Sequence, residues 1–157
     1  MHGFQMLIRQ SLWLGVGAVA VLGAGCAGMA HTKQAPVALS GSQEVPAVTT
    51  SASGSTDISV SESKCPSAGS SNNCPTLTGT VVTQGIKGTA AHIHQAAPGQ
   101  NGPVIVTLIQ VDDKTWAVPS GTTLTDGQNS AYWAGMLYVN VHSDANKGGE
   151  LRAQLKP

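Results

Sequence analysis

From Val37 onward the chain runs in short stretches where apolar and polar residues alternate, broken repeatedly by glycine, proline and asparagine. Alternation with period two is the pattern of a half-buried β-strand. Val37-Ala38-Leu39-Ser40 reads as a first strand, ended by Gly41. Gln43 to Val48 continues extended, with Pro46 marking an edge position or a bend. Ala52 to Val60 puts Ala52, Gly54, Thr56, Ile58 and Val60 on one side and serine and aspartate on the other. Leu77 to Thr83 is a β-branched run, and Gly85 to Gly88 turns the chain into Ala90-Ala91-His92-Ile93-His94. Pro98-Gly99-Gln100-Asn101-Gly102-Pro103 is a dense turn signal. Val104 to Val111 is apolar enough for a central strand buried on both faces, and Trp116-Ala117-Val118 pairs briefly before Pro119. Leu124 to Gly135 holds the one short helix, capped by Thr125 or Asp126 and stopped by Gly135. Leu137 to His142 is a further strand. Glu150 to Leu155 is the last, with Leu151, Ala153 and Leu155 toward the core and Glu150, Arg152 and Gln154 away from it. About eight short strands with regular turns predict an all-β fold, an antiparallel Greek-key-like sandwich or flattened barrel with one short helix.

The N-terminus departs from this pattern. Arg9 precedes an apolar, glycine-containing run from Leu12 to Ala24, too short for a convincing membrane span and suited to an export leader. It ends in Leu22-Gly23-Ala24-Gly25-Cys26, which resembles the lipobox of bacterial lipoproteins, although Gly23 stands where that pattern prefers leucine. The expected organisation is a lipoprotein-type leader over residues 1–25, a tether over 26–36 and one domain over 37–157, with Cys26 as the lipidation site. A plain signal peptide cleaved nearby, such as after Ala30, is the alternative. Both export the chain; lipidation anchors it at the bacterial cell envelope, in the periplasm or on the outer surface.

Composition narrows the partners. Eight basic and eight acidic side chains give no net charge and no basic run, which argues against nucleic acid. Of three cysteines, Cys65 and Cys74 lie inside a Ser/Asn/Gly-rich insert, Lys64 to Pro75, and are expected to pair in an oxidising compartment, leaving Cys26 over for lipid.

The chemistry concentrates on histidine. His92 and His94 share one strand face, and Tyr138, Asn140 and His142 share the polar face of another. If the two strands meet, three imidazoles converge on a site suited to copper, or to zinc as the alternative, with a coordination position left open. Asp144, Glu44 and Met136 are candidates for a further ligand, and Tyr138, Asn140, Glu150 and Arg152 for the surrounding polar shell. Arg152 could also draw small anions toward the site. The competing reading is a metal-free network in which His92, His94, Asn140, Glu150 and Arg152 satisfy one another, on a structural or adhesive module with a protein or polysaccharide partner. No phosphate-binding glycine loop, G-x-S-x-G elbow or convincing acid pair is present, so no catalytic residue is named and enzymatic activity stays open.

Leu39-Ser40-Gly41-Ser42-Gln43-Glu44-Val45-Pro46, Ala90-Ala91-His92-Ile93-His94, Gly99-Gln100-Asn101-Gly102-Pro103-Val104, Tyr138-Val139-Asn140-Val141-His142 and Gly149-Glu150-Leu151-Arg152-Ala153-Gln154-Leu155 together resemble the CHRD domain, named after chordin and widespread in exported bacterial proteins. The resemblance spans Val37 to Leu155 and implies an all-β domain while saying little about activity. The order H-x-H, a later histidine and then Gly-x-x-Arg is also similar, more weakly, to copper–zinc superoxide dismutase. That similarity implies His92, His94 and His142 as copper ligands and Arg152 as an anion guide. The zinc-site residues and fourth copper histidine of that family have no counterparts, so a dismutase-like oxidoreductase is a minor alternative.

Overall fold

The computed structural model describes residues 35–63 and 74–157. The leader, the tether as far as residue 34, Cys26 and Cys65 lie outside the described residues. Short alternating segments rich in valine and threonine can bury only one face each, so they pair and stack. The strands are β1 (Val37–Leu39), β2 (Ser53–Thr56), β3 (Ser59–Ser63), β4 (Cys74–Thr78), β5 (Thr80–Gln84), β6 (Gly88–Gln95), β7 (Val104–Thr107), β8 (Ile109–Gln110), β9 (Thr115–Ala117), β10 (Leu137–Ser143) and β11 (Leu151–Gln154), with helix α1 at Asp126–Trp133. One sheet runs β1-β2-β5-β9-β8, a second β11-β10-β6-β7, and β3 pairs with β4 alone. Every pairing is antiparallel.

The two main sheets form a sandwich; among the described residues no closed barrel forms. Ala91, Ile93, Leu137, Val139, Val141, Leu151 and Ala153 supply the inner face of the second sheet, all at 0% exposure. Leu39, Val81 and Trp116 meet them from the first sheet, in the same buried cluster. Each buried valine, leucine or isoleucine among them contributes about 1.5–3 kcal/mol by leaving water. The sheets approach at both edges: Ser40 bridges to Arg152 between β1 and β11, and the chain crosses from β7 to β8 at Leu108.

Helix α1 starts where Thr125 and Gln128 cap each other, Thr125 Oγ1 accepting from Gln128 N at 3.3 Å and Gln128 Oε1 from Thr125 N at 2.9 Å. Gly135 follows it with φ +68°, the left-handed stop expected there.

Three expectations are corrected. Gln43 to Val48 is not extended: Gly41–Gln43 is a single 3-10 turn, and Val48 N donates to Gly41 O at 2.9 Å, folding the segment back as a loop across Pro46. The runs Ala52 to Val60 and Leu77 to Thr83 each break in two, into β2 and β3 and into β4 and β5. The break is shared. Gly79 sits at φ +125° with Ile58 Cα only 2.6 Å from where its Cβ would be, and Asp57 Oδ1 accepts from Thr80 N at 2.8 Å. Both arms of this hairpin bend together, which carries β3 and β4 out of the first sheet. Finally, Val104 to Val111 is not a buried central strand. It forms the edge strands β7 and β8 of different sheets, with Val104 49% and Ile109 56% exposed and Leu108 buried at the crossing. Among the described residues, these breaks raise the expected eight or so strands to eleven.

Candidate metal centre

The polar side of the second sheet is built by register. β6 and β10 are neighbours, with His92 opposite Asn140, His94 opposite Tyr138 and His142 opposite Ala90. On the far side of β10, Arg152 stands opposite Asn140 and Gln154 opposite Tyr138. His142 therefore lies diagonal to His92, within reach of a ring. Ring centroids are 4.8 Å apart for His92 and His142 and 5.8 Å for His92 and His94. One ligand nitrogen from each of the three histidines lies within 4.8 Å of the others. Nitrogens sharing one metal at about 2.0–2.1 Å stand roughly 3.5 Å apart, so modest ring movements close the set.

The hydrogen bonds dictate which nitrogens carry protons. Gly102 O lies 2.9 Å from His94 Nδ1 and Lys147 O lies 2.9 Å from His142 Nδ1. A carbonyl only accepts, so both Nδ1 atoms donate, and His142 Nε2 keeps its lone pair. His92 Nδ1, 2.9 Å from His142 Nε2, then donates to it. His94 Nε2 lies 3.0 Å from Asn140 Oδ1, an acceptor, so an oxygen acceptor faces each nitrogen of the His94 ring. Burial first, then repulsion from the neighbouring imidazoles, lowers the pKa of His92. Burial also lowers that of His142, against the raising effect of the Lys147 carbonyl. Both favour the uncharged form that a metal requires.

Of the expected surrounding residues, Tyr138 stacks on His94 with centroids 4.7 Å apart and planes within 4°. Arg152 Cζ lies 3.4 Å from the centroid of the same phenol ring, which thus connects an imidazole to a guanidinium. The Gly102 peptide holds both rings, its carbonyl on His94 and its N–H donating to Tyr138 Oη at 3.3 Å. Asn140 touches His94 through its Oδ1. Glu150 is placed elsewhere: it accepts from the Ser143 hydroxyl and, at 2.7 Å, from Thr50 Oγ1, securing the loop before β11. Burial pushes its carboxyl up, but these donors outweigh burial and hold it below the usual range. The metal-free network expected among His92, His94, Asn140, Glu150 and Arg152 is therefore divided into smaller sets.

The converging group of histidine, cysteine and acidic residues, among the described residues, is His92, His94 and His142, without Glu44 or Asp144. Asp144 is exposed in the loop after β10. Met136 precedes β10, and the six residues to His142 span about 20 Å of strand. Glu44 is buried against Gly149, whose φ of +131° and missing Cβ leave room for its carboxylate. The backbone carbonyls of Gly102 and Lys147 carry no side-chain signature; only the turn signals around them hinted at backbone near the histidines. Among the described residues no helix is long and apolar enough to cross a membrane.

The CHRD domain family matches residues 35–155. No curated protein and no solved structure matches the chain. The match covers nearly all of the sandwich, from the residues before β1 to the end of β11. The chain belongs to the CHRD domain family.

Proposed function

We propose that this CHRD domain is an exported, lipid-anchored envelope protein that binds a copper ion through His92, His94 and His142, in copper handling or a simple redox role. The observation that carries this reading is the convergence of three imidazole donors within 4.8 Å on the outer side of a rigid sheet. Two of the rings are already oriented by backbone carbonyls, and that of Lys147 fixes the His142 tautomer. Copper is preferred over zinc because divalent copper binds nitrogen sites more tightly. The reading includes lipid on Cys26, supported by the apolar leader, and a disulfide between Cys65 and Cys74. The disulfide is supported by the pairing of Cys74 with Ser63, which stands two residues before Cys65 in the sequence.

A metal-free structural or adhesive module is the second reading. It is favoured by the direct hydrogen bond from His92 to His142 and by the two partners of His94, which satisfy these ring nitrogens without an ion.

Metal analysis of the purified full chain separates the two. The wild-type protein takes up about one equivalent of copper, and a His92→Ala/His94→Ala variant with an unchanged circular dichroism spectrum takes up none. Equal copper in both proteins removes the site.

A further inference from the structure

Two buried charges on the outer side of the second sheet leave each other's hydrogen-bonding capacity unused. Arg152, 1% exposed, donates through Nη1 to Asn101 Oδ1 at 3.0 Å and through Nη2 to Gln100 O at 2.7 Å. Both acceptors are neutral, and so is the Tyr138 ring beside the guanidinium. Glu44, 6% exposed, has its Oε1 shut away from solvent with no hydrogen-bond partner. Burial pushes its carboxyl up to about 7, although Arg152 and the Val45 backbone N–H pull it down. A buried carboxylate oxygen without a donor is costly and calls for an explanation.

Glu44 and Arg152 both line one cleft of about 350 Å³, with the exposed residues Ser42, Gln43, Pro98 and Gly99 around its mouth. That volume falls at the small end of ligand cavities, roughly 300–1,000 Å³. A guanidinium has five N–H donors, so Arg152 keeps donors beyond the two it has placed.

We propose that this cleft binds a small zwitterion, of the size of an amino acid, with its ammonium on Glu44 and its carboxylate on Arg152. A simple anion entering the cleft is repelled by Glu44, and a simple cation by Arg152. A dipolar molecule answers both charges at once with charge-assisted hydrogen bonds. The three histidines line no part of this cleft, so the proposal stands apart from metal binding.

Calorimetric titration of the full chain with glycine, β-alanine and γ-aminobutyrate tests it, with acetate and ethylamine as single-charge controls. At least one zwitterion saturates the protein, and both controls bind about tenfold more weakly or worse. Glu44→Gln, checked for folding by thermal melting, weakens the zwitterion by about tenfold to a hundredfold. Ser42→Trp, which fills the mouth and leaves both charges in place, blocks binding. The proposal is overturned if no zwitterion binds, if acetate or ethylamine binds as tightly, or if binding to a folded Glu44→Gln or Ser42→Trp variant is unchanged.

Discussion

Glu44 and the paired histidines His92 and His142 are displaced by the same force, burial, yet they tie stability to pH in opposite directions. The Glu44 carboxyl rises from 4.5 to about 7 on folding, so the folded chain holds this proton more tightly than the unfolded chain does. Its contribution is fully present below pH 4.5 and is lost as pH rises through about 7. The two histidines are shifted down from 6.5; their contribution is present above that value and is lost as pH falls below it. Glu44→Gln therefore raises the melting temperature at about pH 8, where it removes a buried charge, and leaves it nearly unchanged at about pH 4. An equal change at both values would show that Glu44 acts through packing and not through its charge. The histidine face was legible in the sequence because two-residue periodicity dictates which side chains share a side, whatever the partner strand. Glu44 was read there as a possible metal ligand. Its placement beside Gly149 and Arg152 depends on a loop folding back onto the last strand, and no local pattern encodes that.

At the scale of elements, the longest apolar run of the domain was the most misleading. Val104 to Val111 is hydrophobic enough for a central strand, yet a short apolar run reads the same whether it is buried on both faces or spread over two sheet edges. The crossing at Leu108 decides between these. Leu108 is 4% exposed and its N–H donates to Ala91 O at 2.9 Å, while Ile109 and Val111 are 56% and 62% exposed. Leu108→Ala costs about 2–5 kcal/mol in urea unfolding, whereas Ile109→Ser or Val111→Thr stays within about 0.5 kcal/mol. Comparable losses at all three positions would restore the buried central strand. The hairpin breaks were hidden for a related reason. Gly79 is one glycine among nineteen, and only the approach of Ile58 from the other arm distinguishes it. Helix α1 was legible because its signals are local, with Thr125 and Gln128 at cap spacing and Gly135 as the stop.

For the whole molecule, the sandwich and its family followed from motifs spread along the chain, while attachment to the envelope rests on the leader alone. If Cys26 carries the lipid, Cys26→Ala moves the protein from the membrane fraction to the soluble fraction, detected by fractionation and immunoblotting, with copper uptake unchanged. A variant that stays with the membrane removes the anchor from the proposal. The bridge between Ser40 and Arg152 joins the first strand of the domain to its last, and the zwitterion cleft lies over that seam. The histidines come from β6 and β10, far apart in sequence and brought together only by pairing within the second sheet. Such long-range closure is slow relative to local structure. A chain made only as far as β10 holds His92, His94 and His142 but cannot form the seam that β11 closes. Ligand loading at the cleft is therefore a later event than the making of the histidine strands, open only to a polypeptide in which β11 has been made and paired.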